Sequence, residues 1–196
     1  RPMFSPEILE FLAQLEQNNN RDWFHENKKH YEKVVKKPWA NFTQELIGRI
    51  VGEEAFVNQL QPKDCIFRIN RDIRFSKDKS PYKLNRSALV THNGKKDKTS
   101  PGLYFEITPE HARVYTGVFT QDKKELQAIR EEIADNLSKV DKIINEKKFK
   151  STFGEIHGEK NKRLPKELQE AAEKQPLIYN KHFYAYSTMP VESIFE

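Results

Sequence analysis

The chain has 196 residues and a formal net charge of +5, with 36% hydrophobic residues, which suits one soluble globular domain and excludes a disordered chain. No run reaches the roughly 18 apolar residues of a membrane span, and the lone cysteine, Cys65, excludes an internal disulfide and a cysteine-based zinc site. We therefore expect a cytoplasmic protein without a membrane partner.

Helical patterns fill residues 1–52. Ser5, Pro6 and Glu7 suit the start of a first helix, because a capping hydroxyl, an early proline and an acid near the positive end of the helix dipole each favour that position. Asn20 can cap a second helix, and Pro38 marks the start of a third. Aromatic and aliphatic residues recur at helical spacing in all three, and we interpret these stripes as core.

Alternation of apolar and polar residues replaces the helical spacing after residue 52. Strands are predicted over residues 65–75, 86–92, 102–108 and 112–118. Consecutive strands joined by short connections pair in antiparallel fashion, so residues 65–118 are expected to form one antiparallel sheet. Residues 93–101 are interpreted as a polar, lysine-bearing loop between two of these strands.

Helical patterns return over residues 122–175. Asp122 and Glu125 have the spacing of a capping box, and Pro165 is expected to begin a short helix. Residues 177–186 are aromatic and are predicted to be an edge strand. This order predicts an α+β fold, with an antiparallel sheet of four to six strands packed against N-terminal and C-terminal helices, in a single domain over residues 1–196.

Residues 65–86 concentrate the positive charge of the chain. Residues 61–100 hold 11 Lys or Arg against 4 Asp, so this segment alone exceeds the net charge of the whole protein. Local positive charge favours phosphate, carboxylate or nucleic-acid partners, although a solvated basic face is the commoner meaning of such a run.

Alternation along the predicted strand 65–75 sorts these cations onto two faces. Arg71 falls on the apolar face, where its permanent charge must find a carboxylate, carbonyl groups or an anionic ligand, or else stay exposed. On the opposite face Asp72 is expected to lie between Arg68 and Arg74, where it could orient both guanidinium groups.

The same region carries a family resemblance. Its motif is Arg68-x-x-Arg71-Asp72-x-Arg74-Phe75-x-Lys77-Asp78-Lys79-x-Pro81-Tyr82-Lys83. Shorter matches are Asn19-Asn20-Arg21-x-Trp23-Phe24, Pro101-Gly102-x-Tyr104, Gly117 ahead of Leu126-x-Ala128-Ile129-Arg130, Lys162-Arg163-x-Pro165 and Lys181-x-Phe183. Together they resemble the domain-of-unknown-function family 2461, conserved hypothetical proteins of bacteria and fungi. Thr116 stands where the family often has a second glycine, and relatives usually continue past residue 196 into a further helix. The resemblance implies a site in the basic motif without an established reaction.

Familiar catalytic and metal-binding motifs are absent from the sequence. His25 and His30 flank a segment similar to a zinc-protease motif, but a spacing of five residues turns them about 140° apart on a helix. The seven glycines form neither a phosphate loop nor a dinucleotide fingerprint, and no spacing indicates a catalytic triad. We expect no metal and no cofactor.

The basic motif therefore carries the candidate site. Our first hypothesis is a small-molecule enzyme or binding domain that holds a phosphate- or carboxylate-bearing ligand. The candidate ligand-binding residues are Arg68, Arg71, Arg74, Lys79, Tyr82, Lys83 and Arg21. Asp72 and Asp78 are the candidate catalytic residues, as acid–base or orienting groups.

Two other interpretations stay open. In one, ion pairs within the motif tie the sheet to the helices of a structural or interaction domain. In the other, the basic strand and the lysines of residues 93–101 bind nucleic acid, with Tyr104 and Tyr115 as stacking platforms. The sequence does not indicate an oligomeric state.

Overall fold

The structure, a computed structural model, describes residues 2–50, 52, 60–97, 100–118 and 122–196. The chain forms two compact units, and each is described by itself below. Unit 1 comprises Arg1–Asp97, Leu103–Val114 and Thr188–Glu196, and unit 2 comprises Lys98–Gly102 and Tyr115–Ser187. The predicted α+β class is confirmed, because helices precede and follow strands that form a four-stranded antiparallel sheet in the described part of the chain.

Helices occupy the N-terminal part of unit 1, as the sequence predicts. Their bounds are α1 Glu7–Gln17, α2 Arg21–Glu26, α3 Lys28–Tyr31, a π-helical turn Glu32–Lys36, α4 Lys37–Ile50 and α5 Pro62–Cys65. The Asn20 side chain caps α2 as predicted, since its Oδ1 accepts the Trp23 N–H at 2.9 Å. The predicted second helix is interrupted at Asn27 and then continues through the π-helical turn, and α4 begins one residue before Pro38.

The start of α1 differs in detail from the prediction. Pro6 occupies the N-cap position and provides no side-chain cap. The Ser5 hydroxyl instead donates a hydrogen bond to the Glu7 carboxylate at 3.3 Å. Capping by Ser5 is therefore wrong, although the helix begins where the local composition places it.

Aromatic rings dominate the main core of unit 1. Trp39 and Phe11 are among its largest fully buried side chains. Phe24 and Tyr31 pack beside Phe11, with ring centroids 6.4 and 5.6 Å from it. The helical stripes interpreted as core are therefore core, and each such large apolar side chain stabilises the fold by about 1.5 to 3 kcal/mol when buried.

The sheet contains strands β1 Arg86–Val90, β2 Gly102–Ile107, β3 His111–Val118 and β4 Phe183–Pro190, in the order β1-β2-β3-β4. In the antiparallel pair β1 and β2, Arg86 lies opposite Ile107 and Val90 opposite Leu103. Three strands predicted over 86–118 are thus confirmed.

The predicted edge strand 177–186 is partly wrong, because Pro176–Tyr179 is a 3-10 helix and the strand begins only at Phe183. Within the predicted loop 93–101, Gly94–Lys96 forms a 3-10 turn, and residues 98 and 99 lie outside the described residues.

The predicted strand over 65–75 does not form. Cys65 ends α5, and the segment meets its neighbours through single bridges, Ile66 to Ala88 and Asn70 to Tyr82. A continuous ladder with the following segment is blocked because Pro81 has no N–H to donate, although its carbonyl accepts the Arg71 N–H at 2.9 Å. The alternation of apolar and polar residues in this segment therefore does not correspond to two faces of a strand.

Unit 2 is mainly helical, as predicted for residues 122–175. Its helices are α6 Lys123–Asp135, α7 Leu137–Ile144, α8 Lys147–Phe153 and α9 Lys166–Lys174. The predicted capping box of α6 is confirmed, since Asp122 Oδ1 accepts the Glu125 N–H at 2.8 Å and Glu125 Oε2 accepts the Asp122 N–H at 3.1 Å. The helix after Pro165 is also confirmed. In the described part of both units, every helix is too short or too polar to cross a membrane.

Gly117 in β3 has a φ of 137°, and a Cβ at this position would collide with the Phe183 carbonyl and with Tyr184 of β4. Gly154, after α8, also has a positive φ of 75°, but open space surrounds the position of its Cβ. We expect Gly117→Ala to lower the free energy of unfolding by more than about 2 kcal/mol and Gly154→Ala by only about 1 kcal/mol. Urea unfolding followed by circular dichroism measures both, and equal losses would contradict the close approach at Gly117.

The Cys65 thiol is fully buried. Burial, with a smaller contribution from the nearby Asp64 carboxylate, raises the pKa of this thiol to about 11. We expect the folded protein to resist a thiol-specific disulfide reagent in mildly alkaline buffer and to react fully once denatured, because the thiolate is the reactive form. Equal labelling rates in the folded and denatured protein would refute this.

Candidate functional site

Arg71 braces the turn formed by residues 76–80. Its Nη1 donates to the Ser80 carbonyl at 2.9 Å and lies 3.0 Å from Asp78 Oδ2. The Arg71 side chain keeps only 26% of its surface exposed. The positive charge of Arg71, for which the sequence analysis requires a partner, is therefore balanced by the Asp78 carboxylate and by backbone carbonyls of the same turn.

Two further contacts close this turn. Asp78 Oδ1 accepts hydrogen bonds from the Ser80 N–H at 2.9 Å and from the Ser80 hydroxyl at 2.6 Å. These bonds, together with the smaller effect of Arg71, lower the pKa of the Asp78 carboxyl. Lys79 Nζ donates to the Ile73 carbonyl at 2.8 Å. Side chains of the motif thus fix the backbone that carries them.

Asp72 forms a bidentate ion pair with Arg74. Its Oδ1 accepts from Arg74 Nε at 2.9 Å and its Oδ2 from Arg74 Nη2 at 2.7 Å, and both side chains are largely exposed. Arg74 is the main cause that lowers the pKa of Asp72 to about 2, and the nearby charge of Arg68 adds a small part. The expected orientation of both arginines by Asp72 is wrong, because both carboxylate oxygens bind Arg74.

Tyr82 anchors the motif to the helices. Its buried ring stacks on Phe24, with centroids 4.1 Å apart and planes inclined by 20°. Its N–H donates to Asn19 Oδ1 at 3.1 Å, and its carbonyl accepts from Asn19 Nδ2 at 2.9 Å. The side-chain amide of Asn19 therefore pairs with the backbone of Tyr82 as the backbone of a neighbouring strand would. A direct ligand contact by Tyr82 stays a prediction.

Arg68, Lys83 and Arg86 lie in the basic stretch and lack a carboxylate partner among the described residues, and we call these three residues the cation cluster. Phe67 joins them. Lys83 Nζ lies 5.9 Å from the centroid of the Phe67 ring, and Arg86 Nη2 donates to the Phe67 carbonyl at 2.7 Å. Arg68 follows Phe67 directly in the chain and is exposed.

Arg86 is the most unusual member of the cation cluster. Only 4% of its surface is exposed, and its Nε has no hydrogen-bond partner in the described structure. Burial lowers the pKa of Arg86. Burial also lowers the pKa of Lys83, and the charges of Arg86 and Arg68 lower it further. Among the residues that the structure describes, no carboxylate neutralises these three neighbouring positive charges, and the burial of Arg86 without such a partner lowers stability.

Two concave regions share Tyr82 as a lining residue. One, of about 470 Å³, is lined in part by Asn19, Arg71 and Lys83. The other, of about 480 Å³, is lined by Arg21, Asp22, Phe24, His25, Lys28, Asn70 and Tyr82. The structure therefore places Arg71 and Lys83 together and assigns Arg21 to a different concavity. In the described ranges no group of three His, Cys, Asp or Glu side chains has the arrangement of a metal site.

Sequence reasoning underrated two residues of this region. Arg86 belongs to the basic stretch but lies in β1, and only the tertiary structure reveals that its charge is buried beside Lys83. Alternation along residues 65–75 predicts that Phe75 shares the apolar face with Arg71, whereas the structure exposes 95% of its surface. A phenylalanine flanked on both sides by charged and polar turn residues was the available signal.

We expect Arg71→Ala to lower the free energy of unfolding by about 1 to 3 kcal/mol, because it removes charge-assisted hydrogen bonds to a partly buried turn. Arg74→Ala is the matched control, since it removes an exposed ion pair of the same motif, and its effect should be much smaller. Denaturant titration of both variants measures the difference. Equal stability of Arg71→Ala and wild type would show that Arg71 does not brace the turn.

Comparison with known proteins identifies one family. The model of DUF2461, described as a conserved hypothetical protein, matches residues 7–196. Comparisons with curated proteins and with solved structures found no significant match. The match covers the basic motif together with both flanking helical regions, in agreement with the resemblance in the sequence. The chain therefore belongs to the DUF2461 family.

Proposed function

We propose that this protein binds a phosphate- or carboxylate-bearing ligand through the cation cluster. The observation that carries this proposal is that Arg68, Lys83 and Arg86 have no carboxylate partner among the described residues, while Arg86 is almost completely buried. An anionic ligand would supply the missing negative charge.

The three cations would contribute differently. Arg68 is exposed and can bind two oxygens of one phosphate or carboxylate through its planar guanidinium. Lys83 is partly buried over Phe67 and lines the concavity of about 470 Å³, so its ammonium provides a point charge at a protected position. Arg86 donates a hydrogen bond to the Phe67 carbonyl, and its positive charge would attract the ligand without direct contact.

The other charged residues of the motif suit a supporting role. Arg71, Arg74 and Lys79 already have protein partners, which favours the internal-network interpretation for these three residues. The lowered pKa values of Asp72 and Asp78 keep both carboxyls ionised near neutral pH, and this favours an orienting role over acid–base chemistry. Arg21 would serve a separate concavity with His25 and Lys28.

A thermal-shift series with phosphate, pyrophosphate, sugar phosphates and dicarboxylates tests the proposal. A ligand that binds only the folded state adds about 2.7 kcal/mol to the free energy of unfolding at a hundredfold excess over its dissociation constant, so weak binders are detectable. We expect at least one of these anions to raise the melting temperature of wild type. Arg68→Gln and Lys83→Gln should each reduce that shift, because each removes one of the unneutralised charges.

Lys142→Gln is the matched control, since Lys142 is an exposed lysine of α7 outside the motif. It should respond to every anion as wild type does. An anion-induced shift that survives in both Arg68→Gln and Lys83→Gln, or a wild-type protein that responds to none of the anions, would overturn the proposal. Arg86 is left intact because removing a buried, hydrogen-bonded arginine would perturb the fold itself.

A further inference from the structure

Phe75 lies directly before the 76–80 turn, inside a bend closed by the Ser76 N–H on the Ile73 carbonyl at 3.3 Å, and 95% of its surface is exposed. The backbone on either side of it is fixed, since Lys79 binds the Ile73 carbonyl and Arg71 binds the Ser80 carbonyl and Asp78. Phe75 is by far the most exposed large hydrophobic side chain among the described residues, since the next, Ile143, exposes 51% of its surface.

Charged side chains adjoin Phe75. The guanidinium carbon of Arg74 lies 5.7 Å from the ring centroid, and Arg74 is itself fixed by its ion pair with Asp72. Lys77, two residues further on, is exposed and makes no hydrogen bond or ion pair with any described residue. The charge of Arg68 of the cation cluster acts on Asp72, so Arg68 lies near the ion pair of Asp72 with Arg74 that adjoins Phe75.

An exposed aromatic ring in a segment whose neighbouring cations include Lys77 and Arg68, both without a carboxylate partner among the described residues, matches the chemistry of a single nucleic-acid strand. Bases stack on exposed aromatic rings whatever their sequence, and lysines and arginines hold the phosphates. Duplex nucleic acid does not fit, because its bases are already stacked on one another and leave no free face for Phe75.

Two other ligands with negative charge fit less well. Anchoring on an anionic membrane would insert Phe75 together with the Arg74 and Asp72 side chains that adjoin it, which places charges in the apolar layer for the gain of one ring. A mononucleotide needs a concave site, but neither concavity of the motif is lined by Phe75. A polymer can bind a convex surface by adding contacts along its length.

We infer that the protein binds single-stranded nucleic acid, with one base stacked on Phe75 and neighbouring phosphates held by Arg68 and Lys83. This inference rests on the proposed function, because it names the class of anion that the cation cluster takes. It adds a contact, the stacked base, that the cation cluster alone does not provide.

Fluorescence anisotropy with a labelled single-stranded homopolymer of thymidine or uridine, at several salt concentrations, tests the inference. We expect Phe75→Leu, which keeps an apolar side chain without a ring, to weaken binding by about tenfold, as loss of one stacked base does. Phe75→Trp should bind at least as tightly as wild type. Because Phe75 is exposed, the melting temperatures of both variants should equal that of wild type.

Salt dependence separates the two kinds of contact. Lys83→Gln should lower the slope of log affinity against log salt by about one phosphate contact, whereas Phe75→Leu should leave the slope unchanged. The emission of the introduced tryptophan in Phe75→Trp should be quenched by the oligonucleotide, measured against wild type with its two native tryptophans. A matching duplex should compete poorly.

The possible outcomes distinguish stacking on Phe75 from anion binding by the cation cluster alone and from binding to a membrane. If oligonucleotide binding falls in Lys83→Gln but not in Phe75→Leu, the cation cluster binds anions and the stacking inference is wrong. If small anions shift the melting temperature but the homopolymer does not bind, the inference is also wrong while the proposed function stands. A blue shift of the Phe75→Trp emission with phosphatidylserine vesicles, without quenching by the oligonucleotide, would overturn it in favour of a membrane surface.

Discussion

The interaction on which the basic motif depends is the binding of the Arg71 guanidinium to the turn that follows it. One side chain reaches the Asp78 carboxylate and the Ser80 carbonyl, and the Arg71 backbone N–H binds Pro81. These contacts replace the regular ladder that Pro81 prevents. They set the path of the chain between Asn70 and Tyr82, which form a single bridge, and hence the positions of Arg74, Phe75 and Lys79.

The cations of the motif divide into two groups with different physical consequences. Those with protein partners, such as Arg71 and Arg74, stabilise a local conformation and have little unmatched charge to offer a ligand. Those without a carboxylate, such as Lys83 and Arg86, raise the local potential in a partly dehydrated setting, where charge interactions are strong. A dense basic sequence thus contains both a structural network and a candidate binding surface.

Much of the fold could be predicted from the sequence, because caps and periodicity act locally. The Asn20 cap, the Asp122 capping box and the strands from residue 86 to 118 are examples. The segment 65–75 could not be predicted by the same means. Its period of two resembles a strand, but the deciding contacts come from residues far away in the sequence, such as Asn19, which pairs with Tyr82.

The candidate site could be located from the sequence, but the sequence does not show which of its cations are paired with carboxylates and which are not. Charge density and the family motif indicate residues 68–83, but which arginines are neutralised depends on side-chain geometry within a few ångströms. In the predicted strand Arg68 and Arg74 share one face with Asp72, but the structure pairs only Arg74 with that carboxylate.

The bracing of the 76–80 turn also determines how binding at this surface would proceed. Ordering a flexible segment takes about 1 to 2 kcal/mol of backbone entropy per residue, and that loss weakens association. Here hydrogen bonds that Arg71 and Lys79 donate and that the Asp78 carboxylate accepts restrict the turn through the protein's own groups. Association at such a surface resembles the docking of two rigid bodies more than coupled folding, so the spacing between ring and cations, and not the adaptability of the loop, would select the partner.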